Sequence, residues 1–151
     1  MKPKRINQPT MEGRCQCSQI RFTTPLPRPK KIYICHCTQC RHQSSSSYGL
    51  TAIFPSFEIP VPAGNASALG AYTRPTLSGK TLECIFCTNC GVRLMHRVRG
   101  EETLSVKAGC LEGLSKEMMR DAEHIWCKEA VIDIPEGARQ WEEEPNDGSL
   151  Q

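Results

Sequence analysis

The sequence lacks the long apolar segments of secreted and membrane-anchored proteins. Three of its first five residues are basic, but no apolar stretch follows them, and no hydrophobic run is long enough to cross a bilayer. We therefore expect a protein of the cytoplasm, or also of the nucleus, with no membrane partner. Because thiols stay reduced in these compartments, we do not expect a disulfide framework.

A concentrated positive charge is also missing. The formal net charge is only +3, and it falls to zero if the seven clustered cysteines bind two zinc ions as thiolates. The basic residues are scattered and are not interleaved with aromatic residues, which proteins that bind single-stranded nucleic acids use for stacking. No specific nucleic-acid partner is therefore expected.

The sequence shows no internal repeat and few segments that favour helix. Prolines separate short stretches in which β-branched or aromatic residues recur at alternate positions. This pattern predicts a mainly β fold of several short antiparallel sheets with one or two short helices. Predicted strands cover residues 20–23, 31–34, 48–54, 69–73, 81–86, 93–98 and 103–107. One helix is predicted directly after Cys37 and another over residues 115–120, capped by Ser115.

The length of 151 residues fits one domain with a modest core. Residues 1–10 and 136–151 are mostly polar and have little to bury, so we expect flexible tails there. The zinc domain is accordingly predicted to span residues 11–135.

What the sequence does contain is ten cysteines, seven of them in three clusters. The clusters are Cys15-Gln16-Cys17, Cys35-His36-Cys37-Thr38-Gln39-Cys40 and Cys87-Thr88-Asn89-Cys90-Gly91. Thiolates one or two residues apart can turn toward one cation, whereas neighbours in a Cys-x-Cys pair are badly placed to bridge each other. The spacing therefore indicates metal binding, with zinc as the expected metal.

Other cysteine chemistries fit the spacing less well. No histidine follows either Cys-x-x-Cys pair, which argues against haem attachment, and no βαβ pattern surrounds them, which argues against a redox dithiol. An iron–sulfur cluster stays open as an alternative, although the usual ligand run is missing.

Two cysteine pairs that are distant in sequence predict a closed structural zinc site. Four sulfur ligands from separate strands would link these strands through one metal ion. The four ligands are Cys15 and Cys17 with Cys87 and Cys90. The following glycine is typical of a zinc knuckle, in which backbone amides approach the thiolates. Cys84 is an alternative to Cys87, but its strand-like surroundings favour a buried apolar role.

The middle cluster supplies only three cysteines. Cys35, Cys37 and Cys40 would leave one coordination position open, which distinguishes a catalytic zinc from a structural one. We therefore predict these three residues as metal ligands and as the catalytic group. His36 is an alternative fourth ligand, but between two ligating cysteines it is expected to point away. His124 is expected to be a satisfied core residue.

Together, several motifs resemble the glutathione-dependent formaldehyde-activating enzyme family, which also includes centromere protein V. The motifs are Gly13-Arg14-Cys15-Gln16-Cys17, Cys35-His36-Cys37-Thr38-Gln39-Cys40-Arg41, Phe86-Cys87-Thr88-Asn89-Cys90-Gly91, Lys107-Ala108-Gly109-Cys110-Leu111 and His124-Ile125-Trp126. The resemblance covers roughly residues 11–131. It implies a tent-like, zinc-stapled β fold with one closed four-cysteine site, and a second zinc near a glutathione-binding cleft.

The resemblance also implies an activity and a partner. Family members are described as carbon–sulfur lyases or as enzymes that condense formaldehyde with glutathione, so the expected partner is glutathione or an adduct of a related thiol. Arg41, His42 and the serines at 44–47 would then follow the reactive cluster and contact the substrate. The segment departs from the family pattern, since four serines replace a glycine-containing turn. The substrate and the oligomeric state stay open.

Two other hypotheses remain at this point. In the first, both metals only hold the fold and a surface loop binds protein or chromatin, as the centromere relative suggests. In the second, Cys84, Cys110 and Cys127 act as a metal or redox sensor, which requires accessible thiols of low pKa.

Overall fold

The computed structural model describes residues 9–146, which form nine strands, two short α-helices and two single 3-10 turns, at Ala108–Cys110 and Cys127–Glu129. The strands are β1 (Glu12–Arg14), β2 (Arg21–Thr23), β3 (Lys31–Cys35), β4 (Gly49–Pro55), β5 (Leu69–Pro75), β6 (Thr81–Cys87), β7 (Arg93–Arg97), β8 (Thr103–Lys107) and β9 (Glu123–Ile125). The helices are α1 (Thr38–Ser44) and α2 (Lys116–Arg120). β1 pairs with β2, and the other strands form one sheet in the order β5-β6-β7-β8-β4-β3-β9.

The predicted mainly β fold with short helices is confirmed. The seven predicted strands match β2 to β8 within a residue or two at each end, and both predicted helices are present. Ser115 caps α2 as expected, because its hydroxyl accepts the Met118 N–H at 3.2 Å. The strands β1 and β9 were not predicted, and β9 joins β3 in parallel, whereas all pairs were expected to be antiparallel.

Successive side chains of each strand point to opposite faces of the large sheet, and the two faces differ in polarity. One face carries a row of apolar residues that pair across four strands and belong to the main core: Ile32, Ala52, Val106 and Met95. Phe54, Leu94 and Leu104 also join this core.

The opposite face is more polar and has a smaller apolar cluster near the edge strand β9. Tyr33, Cys35 and Ile53 form this cluster with Ile125, and Trp126 and Trp141 pack against it. Lys107 pairs with Thr51 on the same face by register. The middle cysteine cluster therefore lies on the face that carries charge.

Part of the predicted C-terminal tail lies along β9. The Trp141 N–H donates to the His124 carbonyl at 2.9 Å, and the His124 N–H donates to the Arg139 carbonyl at 2.9 Å. The domain boundaries and the flexibility of the tails stay predictions, and residues 1–8 and 147–151 lie outside the described part of the chain. Between residues 9 and 146, no helix has the length and apolar character needed to cross a membrane.

Candidate metal centres

The structure brings the two distant cysteine pairs together. The sulfurs of Cys15, Cys17, Cys87 and Cys90 all lie within 4.8 Å of one another. Sγ of Cys17 is 3.6 Å from that of Cys15 and 3.8 Å from that of Cys87. Four Zn–S bonds of about 2.3 Å in a tetrahedron place the sulfurs about 3.8 Å apart, so the spacing fits zinc. All four cysteines are free thiols.

Two tight turns present these sulfurs. The turn between β1 and β2 contains Ser18 at φ 65°, and the Ile20 N–H donates to Cys15 Sγ at 3.3 Å. In the other turn Gly91 adopts φ 76°, a conformation that favours glycine, and its N–H donates to the Cys87 carbonyl at 2.8 Å. This is the backbone expected of a zinc knuckle.

The four-cysteine cluster is joined to the main core. Cys15 is 1% exposed and Cys87 is fully buried, and both belong to the main apolar cluster, whereas Cys17 is exposed. A metal here would tie the small sheet to the end of β6, about 70 residues later in the chain. The geometry therefore suits a structural metal.

The middle cluster is built from a short continuous segment. The sulfurs of Cys35, Cys37 and Cys40 lie within 4.8 Å of one another, at the end of β3, at the N-cap of α1 and within α1. The Cys40 N–H donates to Cys37 Sγ at 3.3 Å. Among the described residues, no fourth His, Cys, Asp or Glu atom joins this group.

The three thiols also set one another's acidity. Hydrogen bonds from Cys35 and Cys40, together with the backbone amides of Cys40 and Gln39, hold the pKa of Cys37 well below its usual range. The shared hydrogen bonds to Cys37 and Cys40, followed by burial, raise the pKa of Cys35. The cluster thus stabilises a thiolate in a half-buried position, which favours capture of a cation.

Gly49 makes room for this cluster. It pairs with Cys35 across β3 and β4, and a Cβ atom on it would lie 2.9 Å from Cys40 Cβ and 3.2 Å from Cys40 Sγ. Any other residue would push Cys40 from its place, so the glycine is required by the close approach of the helix to the sheet.

The two histidines discussed above pair with each other in the interior. His36 is fully buried, and its Nε2 lies 2.9 Å from Nδ1 of His124, which is 7% exposed. His36 is absent from the group of ligand atoms, so it points away from the cysteines as expected. The expectation of a satisfied core residue at His124 is confirmed, and its partner depends on the parallel pairing of β3 with β9.

The serine segment after the cluster has a structural role at its first residue. The Ser44 hydroxyl donates to the Cys40 carbonyl at 2.8 Å and lies 2.9 Å from the Tyr48 carbonyl, and Ser45 closes α1 in a left-handed conformation at φ 50°. The hydroxyl of Ser44 is therefore already bonded to backbone. His42 is exposed and lines a cavity beside Cys40.

That cavity is also lined by residues that no sequence motif indicated. Arg74, Arg93 and Tyr72 line it together with Cys40 and His96, and its volume is about 230 Å³. These side chains come from β5 and β7, which are distant in sequence from the cluster. No motif could have identified them, because their proximity depends on the order of strands in the sheet.

The three remaining cysteines lie outside both clusters. Cys84 is fully buried on β6, as predicted for an apolar residue. Burial raises the pKa of Cys110 to about 11 and also raises the pKa of Cys127. Because a redox or metal sensor needs thiols of low pKa, these values argue against the sensor hypothesis.

Comparison with known proteins gives a family and a similar fold. The sequence model of the glutathione-dependent formaldehyde-activating enzyme family matches residues 10–129. A crystal structure of a Rhodobacter sphaeroides protein is similar in fold, with a TM-score of 0.56 and 22% sequence identity, over 76% of this chain and 99% of that chain. No curated protein is significantly similar to the sequence.

Proposed function

The chain belongs to the glutathione-dependent formaldehyde-activating enzyme family, and we propose that it is a zinc-dependent carbon–sulfur lyase-like enzyme. Its substrate is glutathione or an adduct of a related thiol, of the type that glutathione forms with formaldehyde. Two zinc ions are bound, one structural at the four-cysteine cluster and one with an open position at Cys35, Cys37 and Cys40.

The observation that carries this proposal is the difference in ligand number. Three sulfurs gather at the end of β3 without a fourth ligand atom among the described residues, and Cys40 borders a cavity. Zinc is usually four-coordinate, so three cysteines leave one position for a substrate sulfur or oxygen. A zinc ion bound there supplies Lewis acidity and favours the thiolate form of a thiol.

The chain's own residues bind the metal, orient its ligands and enclose the substrate. Cys35, Cys37 and Cys40 hold the metal, α1 and Gly49 fix the position of Cys40, and the cavity receives the substrate next to it. In the cleavage direction, the carbon–sulfur bond of a hydroxymethyl thioether breaks. The hydroxyl loses its proton to give the carbonyl, and the leaving sulfur becomes a thiol by taking up a proton. Condensation is the reverse.

The test is turnover of a defined adduct by the purified, zinc-loaded protein. Loss of S-(hydroxymethyl)glutathione is followed by nuclear magnetic resonance (NMR) with wild type, with Cys37→Ser and with Cys127→Ser, whose cysteine lies outside both clusters. We expect turnover by wild type and Cys127→Ser, and a loss of at least about 100-fold in Cys37→Ser, because changes to the outer shell of a metal site already cost about 10–100-fold and loss of a ligand should cost more.

The competing hypothesis is a non-catalytic zinc module that binds protein or chromatin. It predicts no turnover, no thiol binding and no difference between the Cys37 and Cys127 variants in any thiol assay. A folded, zinc-loaded wild type that behaves in this way would replace the enzyme proposal by the module.

A further inference from the structure

The cavity beside Cys40 has an excess of positive charge. Arg74 and Arg93 line it, and none of the described residues that line it is Asp or Glu. Neither arginine forms an ion pair with a carboxylate within residues 9–146. Arg97 and Arg99, by contrast, are both paired with Glu83 nearby on the sheet. Cations held together without an acidic partner favour binding of an anion.

A β-bulge aims Arg93 into this cavity. Arg93 and His96 are three residues apart on β7, a spacing that normally puts side chains on opposite faces. The register of β6 against β7 shifts next to Phe86, which pairs with Arg93, so Leu94 is an extra residue. The bulge returns Arg93 to the face of His96. Bulges of this kind often re-aim side chains next to active sites.

Arg93 is held in position by two neighbours. Its Nη1 lies 3.0 Å from His96 Nε2, and its Cζ lies 5.7 Å from the centroid of the Tyr72 ring. Burial, with the nearby charges of Lys107, Arg93 and Arg74, lowers the pKa of His96 to about 2, so the imidazole stays neutral and accepts from Arg93. A guanidinium fixed in this way still has donors left for a carboxylate.

The third cation of the region is Lys107, which is not among the described residues that line the cavity. It is 8% exposed, and burial lowers its pKa. Arg74 and Arg93 are therefore left for a ligand.

We propose that Arg93 and Arg74 form a subsite for a carboxylate of the thiol substrate, which positions the substrate sulfur at the three-cysteine cluster. This assignment rests on the proposed function for its thiol. The cavity of about 230 Å³ is smaller than the roughly 300–1,000 Å³ of complete ligand pockets, so it receives one end of a ligand. The substrate class is accordingly a thiol, or its adduct, that carries a carboxylate a few bonds away from the sulfur.

The subsite is tested without any thiol. Zinc-loaded protein is titrated with N-acetylglycine, with its uncharged amide and with inorganic phosphate, and the Arg93 Nε–H resonance is followed by NMR. We expect N-acetylglycine to shift this resonance and the amide to leave it unchanged. Arg93→Gln and Arg74→Gln should each weaken binding of N-acetylglycine at least about tenfold, the usual cost of a charge-assisted hydrogen bond. In the Arg93 variant, binding is read from neighbouring backbone resonances.

Arg99→Gln is the matched control, because Arg99 is 69% exposed and pairs with Glu83 outside the cavity. It should bind N-acetylglycine as wild type does. Equal binding of acid and amide, equal binding by all variants, or tighter binding of phosphate than of the carboxylate would each overturn the assignment. Zinc content is measured for every variant, and Arg74→Gln decides the question if Arg93→Gln fails to fold.

The failure of the subsite and that of the proposed function are distinguishable. If N-acetylglycine binds as expected while S-(hydroxymethyl)glutathione is not turned over, the carboxylate subsite stands and the lyase proposal falls. If the adduct is turned over while N-acetylglycine does not bind, the activity stands and the subsite is wrong.

Discussion

The two cysteine clusters of this chain differ in what they join. Cys15 and Cys17 meet Cys87 and Cys90 across about 70 residues, and two of the four lie in the main core. Cys35, Cys37 and Cys40 come from six consecutive residues on the other face of the sheet. A metal stabilises a fold most when it links distant segments, because it then closes a long loop of the unfolded chain. Ligand number and sequence separation are therefore the two features on which we base the proposal of a structural site at the four-cysteine cluster and a reactive site at the three-cysteine cluster.

The largest expected effect is loss of folding, and only substitutions in the four-cysteine cluster should cause it. Cys87→Ser removes a ligand that is fully buried in the core. Structural zinc in small domains contributes about 10–16 kcal/mol, as much as the roughly 5–15 kcal/mol of total stability of a domain. We expect this variant to be unfolded or aggregated by circular dichroism. Cys37→Ser should keep the spectrum of the wild type.

Cys84→Ala is the control for burial, since Cys84 is a fully buried cysteine of the same strand that belongs to neither cluster. It should cost only about 1 kcal/mol in the free energy of unfolding, as expected for a small truncation. Equal unfolding of the Cys87 and Cys37 variants would erase the distinction between the two sites.

A smaller effect is expected on zinc release, which should occur first from the three-cysteine cluster and later from the four-cysteine cluster. A chelator in excess should remove zinc in two phases, because three ligands with an accessible open position exchange more easily than four closed ones. Release of zinc from the three-cysteine cluster, in the first phase, should leave the circular dichroism spectrum unchanged. Release from the four-cysteine cluster, in the second phase, should unfold the protein and abolish the spectrum. The distinction fails if unfolding accompanies the first zinc to leave.

The smallest effect concerns the packing of α1 on the sheet. Gly49→Ala places a Cβ 2.9 Å from that of Cys40 and should cost about 1–3 kcal/mol, as overpacking does, while it weakens zinc binding at the three-cysteine cluster. Gly109→Ala is the matched control, because its Cβ would have no neighbour within 4 Å. Equal zinc affinity in the two variants, measured by chelator competition, would show that Gly49 does not position Cys40.

Much of the fold and the composition of both clusters could be predicted from the sequence. Alternating β-branched and apolar residues identified seven strands, and the spacing of the cysteines predicted the same two groups that the structure brings together. These signals are local, or they rest on the chemistry of one residue type. The strands β1 and β9 have three residues each, and between them they contain one β-branched residue and no Phe, Tyr or Trp, so no alternating pattern is visible.

Features that depend on long-range pairing could not be predicted. His36 meets His124 only because β9 returns beside β3, 88 residues later. Arg93 reaches the cavity only because β7 contains a bulge and lies next to β6. A sequence shows neither the order of strands nor an extra residue in one of them, so the basic cavity came from the structure alone.

The central claim is that two sulfur clusters each hold one zinc ion and that only one of these ions is needed for the fold. Elemental analysis of gently purified wild type and of Cys37→Ser, with circular dichroism on the same samples, tests it most directly. We expect two zinc ions per chain in wild type and one in the variant, with both proteins folded. No zinc in wild type, or the same single zinc ion in both proteins, would contradict the claim.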